Sequence, residues 1–347
     1  MTESRLGFPI AKLTHLPTPL EEAPRFAKVL GGPRVFIKRD DTTGLALGGN
    51  KARKLEFLLG EALSLGCDSV VTCGGPQSNH ARMTAAAARK YGLEPVLVLE
   101  GDDPGHRMGN LLLDTLLDAE LVFAGDKPAD IVMEEVRERL LSEGKKPYMV
   151  PLGGSSPLGT LGYIACAEEI VRDCDAVGIR PKALYLAAGS LGTLAGVLLG
   201  KFMYDAPSDV LGVAVGRTSD STIERGVNLT LEAKDLVLQS QTDKPVARAL
   251  SQVTAETVRP LIRILTDQVG QGYGIPTPEC LEAITLLART EGILTDPVYT
   301  GKALAAMVAA IRGGQYGKDD AVIFLHTGGV PADFAYGDAF LTKEEPR

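Results

Sequence analysis

The chain has 347 residues, 45% hydrophobic and 23% charged, the make-up of a globular protein with room for two domains. Its net charge of −8 argues against nucleic acid or an anionic membrane as partner, while leaving room for a local positive site that takes a small anion. Five cysteines (Cys67, Cys73, Cys166, Cys174 and Cys280) form no CxxC and no Cys/His ligand set, which argues against zinc and against a disulfide framework.

The opening Met1-Thr2-Glu3-Ser4-Arg5 lacks a basic segment followed by an apolar one, and no apolar run reaches the ~18 residues of a membrane span. With an odd number of thiols, this predicts a soluble, cytoplasmic protein. Residues 1–34 are irregular and proline-rich. Val35-Phe36-Ile37-Lys38-Arg39 reads as a strand, and a helix is predicted over 51–65, where Leu55, Leu58, Leu59, Ala62 and Leu63 make one apolar face. Strands follow at 69–73, 95–99, about 120–123 and 147–151, with helices about 80–91, 108–118 and 129–143 between them. A second series has a helix about 157–173, a strand at 183–187 and a Gly-rich loop at 188–193 that opens a helix to about 202. Strands at 210–215 and 321–325 then flank helices about 278–291 and 301–312. The stretch 217–277 gives no clear pattern. Strands alternating with helices imply right-handed crossovers and parallel sheets, with ligands at the carboxyl ends of the strands.

Four loops carry chemistry. Lys51 follows Gly48-Gly49-Asn50 at the first turn of its helix, off the apolar face. That suits an amine forming a Schiff base with a carbonyl compound such as pyridoxal 5'-phosphate (PLP), and equally an ordinary solvated lysine. In the second loop Gly189, Ser190, Leu191, Gly192 and Thr193 follow a strand and open a helix, so their N–H groups and the helix dipole suit an anion. Leu191 stands where a dinucleotide fingerprint needs glycine, so a single phosphate monoester, or a plain tight turn, is expected. Gln77-Ser78-Asn79-His80 either caps a helix or offers donors to a substrate carboxylate. Asp296-Pro297-Val298-Tyr299-Thr300-Gly301-Lys302 is placed at a strand end before a helix, with Tyr299 an acid or base candidate. Tyr273, between Gly272 and Gly274, is the other tyrosine open to a cleft or to the core. His15, His106 and His326 are read as structural.

Together these loops resemble the fold-type II PLP enzymes, in the branch of D-cysteine desulfhydrase and aminocyclopropane-carboxylate deaminase. The resemblance runs from Thr18-Pro19-Leu20 through Ile37-Lys38-Arg39-Asp40-Asp41 and the loops above to His326-Thr327-Gly328-Gly329. It implies two three-layer α/β domains with mostly parallel sheets, similar to the tryptophan synthase β subunit, with PLP in the cleft between them. Residues 1–50 plus 166–347 would form the large PLP-binding domain and 51–165 the small one, and a homodimer is implied. Lys51 would bind PLP covalently, and the phosphate would lie on Gly189, Ser190, Leu191, Gly192 and Thr193 with Lys54 as a cationic contact. Asn79 would meet the ring hydroxyl and Thr300 the ring nitrogen. Gln77, Ser78, Asn79 and His80 would bind the amino-acid substrate, with Lys51, Ser78, Tyr273 and Tyr299 as the catalytic set.

The deaminase pattern has a glutamate after the tyrosine and a leucine in the last loop. Here those places are Thr300 and Thr327, as in the desulfhydrases. The expectation is therefore α,β-elimination from a cysteine-like amino acid, most simply D-cysteine to pyruvate, hydrogen sulfide and ammonia. L-cysteate sulfo-lyase, aminocyclopropane-carboxylate deaminase and a PLP-binding protein without turnover are the alternatives. Cys73-Gly74-Gly75-Pro76 and Arg82-Met83 depart from the usual pattern next to the expected carboxylate loop, which bears on substrate identity rather than reaction type.

Overall fold

The computed structural model describes residues 2–4, 6–206, 208–240 and 244–341; the ends of the large-domain span, residue 1 and residues 342–347, lie outside them. Both predicted strand-and-helix series form, each as its own sheet. In the first half the elements are β1 (Leu20–Glu22), α1 (Pro24–Leu30), β2 (Arg34–Lys38), α2 (Lys51–Ser64), β3 (Ser69–Gly74), α3 (Asn79–Lys90), β4 (Glu94–Leu99), α4 (Gly109–Leu116), β5 (Glu120–Phe123), α5 (Ala129–Ser142) and β6 (Pro147–Met149). In the second half they are α6 (Pro157–Val177), β7 (Ala183–Ala188), α7 (Gly192–Tyr204), β8 (Asp209–Ala214), α8 (Asp220–Gln239), β9 (Arg263–Leu265), α9 (Pro278–Glu291), α10 (Thr300–Arg312) and β10 (Ala321–Leu325).

The large sheet runs β9-β8-β7-β10-β2-β1, and the small one β5-β4-β3-β6. Every pairing within these two sheets is parallel except β1 with β2. Apolar residues cover both faces of the large sheet, Leu194, Leu198 and Val227 on one side and Leu287, Met307 and Val308 on the other. That burial on both faces is why its strands read as continuous apolar runs. No helix among the described residues is long and apolar enough to cross a membrane.

Three expectations change. Residues 1–34, read as irregular, contain β1 and α1. The Asp296 loop follows an irregular segment after α9, not a strand. And α2 has no solvent face along its first half, because residues 52–60 are all buried. Leu55, Leu58 and Leu59 pack with Val70, Met83 and Val150 of the small-sheet region, while Phe57 joins the core around the large sheet. A helix buried on several sides must give each polar side chain a partner. Glu56 accepts from the backbone N–H groups of Leu13 and Thr14 and from the Thr14 hydroxyl. Arg53 donates to Asp40 and to Glu169 of α6. Lys54 donates to Gly153 and Ser155 in the turn after β6. The helix α6 runs unbroken through residue 166 and packs on both α2 and α7, so it links the two sheets as one rod. The unread stretch 217–277 contains α8, two short α-helices, a 3-10 turn and β9. The buried stripe of α8 passes through Gly226 and Thr230, which hides its helical period from a search for apolar residues.

Candidate active site

A cavity of about 400 Å³ opens where β7 ends and where α2, α3 and α7 begin. Three of the four singled-out loops face it directly, and the fourth contributes Tyr299. Its floor is a turn not singled out from sequence, Leu152-Gly153-Gly154-Ser155. Gly153 has φ +68, and a Cβ there would lie 2.2 Å from Ser190 Oγ and 3.4 Å from Lys51 Nζ. Only a residue without a side chain leaves the cradle open.

Lys51 Nζ donates to the Gly153 carbonyl at 3.2 Å, and burial lowers its amine to about 8. Lys54, fully buried, donates to the same carbonyl at 3.2 Å and to Ser155 Oγ at 3.0 Å. Burial, with Lys51 and then Arg225 nearby, pushes Lys54 well below its ordinary value. Neither lysine has a carboxylate at ion-pair distance among the described residues. Ser155 Oγ accepts from Gly192 N at 3.2 Å and shares a hydrogen bond of 2.7 Å with Ser190 Oγ. Leu191 takes a left-handed conformation (φ 68) at the start of α7, which turns successive N–H groups toward one side. Lys51, Ser190 and the start of α7 line the cavity, with Lys54 and Ser155 hydrogen-bonded directly behind them. A phosphate dianion fits that donor set, and Lys51 stands beside it for a carbonyl carbon. PLP carries both groups.

Ser78 caps α3, its Oγ accepting from Ala81 N at 3.2 Å, and still borders the cavity. Asn79 Oδ1 accepts from Asn110 Nδ2 at 3.0 Å, leaving its own amide nitrogen as a donor for a ligand such as the ring hydroxyl. Gln77 does not reach the cavity. Its Nε2 donates to the Met108 carbonyl at 3.0 Å and its Oε1 accepts from Asn110 N at 2.9 Å, so it clamps the start of α4 instead of meeting substrate. His80 borders the floor, but its Nε2 lies 2.8 Å from Thr72 Oγ1, whose proton goes to the Val150 carbonyl. The imidazole N–H is therefore on Nε2 and committed. Burial, then Lys51 and Lys54, keep the ring neutral. It supports the floor and has no donor left for a carboxylate.

Tyr273 and Tyr299 meet hydroxyl to hydroxyl, with ring centroids 5.7 Å apart at 70°. Burial, then Tyr273, raise Tyr299 well above an ordinary phenol. Tyr273 keeps 46% of its surface open, yet that surface faces a cleft walled by protein, and desolvation lifts it to about 12. Thr300 is not on the cavity wall. Its hydroxyl donates to Asp296 Oδ1 at 2.5 Å, and that buried carboxylate also accepts the N–H groups of Val298, Tyr299 and Thr300. Thr300 Oγ1 also accepts from Asp296 N at 2.8 Å, so its hydroxyl is tied to the loop that opens α10. Thr327, from the last motif, borders the cavity in its stead. Missed altogether were Ser155, Glu100 at the end of β4, and Arg217, Thr222 and Arg225 from the unread stretch. A Gly-Gly-Ser-Ser turn just after a strand was a readable signal for Ser155; the others depend on tertiary closure.

Comparison with known proteins agrees with this geometry. The family model described as "Pyridoxal-phosphate dependent enzyme" matches residues 11–328. The chain belongs to that family, and PLP is its cofactor. Within it, the chain is 41% identical over 337 residues, 96% of each protein, to a Pyrococcus abyssi protein named "Putative 1-aminocyclopropane-1-carboxylate deaminase". A solved structure described as an ACC deaminase homologue superposes with a TM-score of 0.83 at 39% identity, covering 96% of both chains. The processed form of a threonine deaminase from Solanum lycopersicum shares the fold at 17% identity and a TM-score of 0.61, covering 91% of this chain and 80% of its own.

Proposed function

We propose that the chain is a carbon–sulfur lyase that carries out α,β-elimination on a cysteine-like amino acid, with D-cysteine converted to pyruvate, hydrogen sulfide and ammonia. One observation carries the reading: the tyrosine pair borders the cavity beside Gly75 of the Ser78 turn, and Thr327 borders it too, while the Asp296 carboxylate is spent on the N–H groups of Val298, Tyr299 and Thr300. PLP, when bound, would supply an electron sink for bonds broken at the substrate α-carbon, and threonines at 300 and 327, where the deaminase pattern has glutamate and leucine, suit a substrate whose β-substituent leaves with the electron pair. Lys51, once its amine is free, takes the α-proton; an amine near 8 is partly unprotonated at neutral pH, as a general base requires. Ser78 and the first N–H groups of α3 hold the substrate carboxylate. The tyrosine pair stays protonated and holds one hydroxyl proton for the departing sulfur.

A second reading has an observation of its own. Arg217 lies on the cavity wall and forms no ion pair among the described residues, which favours a sulfonate tail and hence L-cysteate with release of sulfite. The relatives' names point to aminocyclopropane-carboxylate instead. One panel separates all three: D-cysteine, L-cysteate, β-chloro-D-alanine and aminocyclopropane-carboxylate, scored for pyruvate, 2-oxobutyrate, sulfide and sulfite. Equal amounts of pyruvate and sulfide from D-cysteine support the proposal. 2-Oxobutyrate as the only keto acid formed, or a cofactor-loaded protein inert to the whole panel, overturns it.

A further inference from the structure

One buried charge near the cavity has no part in the chemistry above. Lys302, fully buried in the first turn of α10, sits three residues after Tyr299. Its ammonium donates to three backbone carbonyls, Val215 at 3.3 Å, Val269 at 2.9 Å and Gly272 at 2.9 Å. No carboxylate lies within ion-pair distance among the described residues, and burial lowers its amine below the ordinary lysine value. An ammonium so placed is costly, and an apolar side chain would fill the volume at less cost unless the three carbonyls need a donor.

They do need one. The segment 266–277 between β9 and α9 has no helix or strand to take up its polar groups. Gly270, Gly272 and Gly274 all have positive φ (61, 150 and 75) around Tyr273, so the backbone there is intrinsically loose. Tyr273 also rests on Gly216, where a Cβ would stand 3.3 Å from the tyrosine Cβ. Lys302 thus joins the strand end that carries Gly216, the loop that carries Tyr273 and the helix that carries Tyr299.

We infer that Lys302 is a positioning residue, a tether of three carbonyls that holds Tyr273 against Tyr299 and so sets the proton donor of the reaction. The inference rests on the elimination reading for the role of the tyrosines, but the tether itself can be tested without turnover. In Lys302→Met the visible absorbance of the bound cofactor should persist while kcat falls about 100-fold and KM changes little, as for a misplaced catalytic group. Amide exchange should speed up in 266–275 and not across the large sheet. Combined with Tyr273→Phe, the change should slow the enzyme no further than Tyr273→Phe alone, within about 2-fold, because both act on one hydroxyl. If Lys302→Met does not fold, Lys302→Gln, which keeps one donor, is read by the same measurements. Multiplying effects in the double variant, or exchange in 266–275 unchanged, would overturn the tether. Should Tyr273→Phe leave turnover unaltered, the proton-donor role fails while the exchange result still decides what Lys302 does.

Discussion

Arg53 and Lys54 are neighbours on one buried helix and meet opposite electrostatic surroundings. Around Arg53 the charges balance within the protein: its guanidinium grips Asp40 and Glu169, Lys38 lies 3.2 Å from Glu169 and 2.7 Å from Asp173, and Arg172 lies 3.1 Å from Asp173. Burial alone would raise Asp40, but Arg53, with hydrogen bonds from Tyr163 and Thr18, outweighs it and holds the carboxyl below its usual range. Around Lys54 the charges do not balance; Lys51 and Arg225 add to it, and among the described residues one hydroxyl and one carbonyl answer. The closed cluster holds α2 to α6, whereas the open one awaits an anion. Completeness of a charge cluster, more than burial, separates structure from site here.

The largest effect expected on the open side is Lys51→Ala, which should abolish the visible absorbance of the bound cofactor and lower pyruvate formation at least about 10³-fold. Retained turnover would remove Lys51 from the mechanism. On the closed side, Arg53→Met leaves buried Asp40 without a cation and Glu169 with Lys38 alone, and should cost about 3–5 kcal/mol in urea unfolding, enough to leave little folded protein. Lys54→Met sharpens the contrast: the cofactor-free protein should be at least as stable as wild type, while affinity for PLP drops about 10- to 100-fold, the worth of a charged hydrogen bond. A loss of stability like that of Arg53→Met would place Lys54 in the closed class.

The acid–base behaviour of Lys51 follows with its sign. Its folded value, about 8, lies below the unfolded lysine value of 10.5, so the unfolded chain holds the extra proton between the two and stability from this group rises with pH across that window. In the cofactor-free protein, labelling of Lys51 by an amine reagent should rise with a midpoint near 8, and inorganic phosphate should move the midpoint upward. A midpoint close to the unfolded value would mean that the cavity does not desolvate it. The smallest effects separate two threonines: Thr300→Ala should cost about 1 kcal/mol of stability through its helix cap with kcat/KM little changed, and Thr327→Ala the reverse.

The sheets were legible because buried parallel strands such as Ser69–Gly74 and Glu94–Leu99 are apolar runs between clear helical periods. Lys51, Ser78, Asn79 and the 189–193 loop were legible for a local reason, since a glycine turn or a helix start shapes the backbone around its own side chains. Arg53 and Lys54 could not be told apart in that way. The partners that distinguish them lie far off in the chain, at Glu169 for the first and at Gly153 and Ser155 for the second. Gln77 and Thr300 failed for a related reason. Each sits at the mouth of a helix where backbone N–H groups compete with any ligand for the side chain, and the backbone won. Arg217 and Arg225 belonged to a stretch whose helix buries glycine and threonine, so nothing local announced them.

The most direct measurement is to reduce the cofactor-loaded protein with borohydride and locate the resulting pyridoxyl group by peptide mass spectrometry. The open cluster on α2 predicts the label on Lys51, and its loss when Lys51→Ala is treated alike. A label on Lys54 or on any lysine outside the cavity would contradict the account.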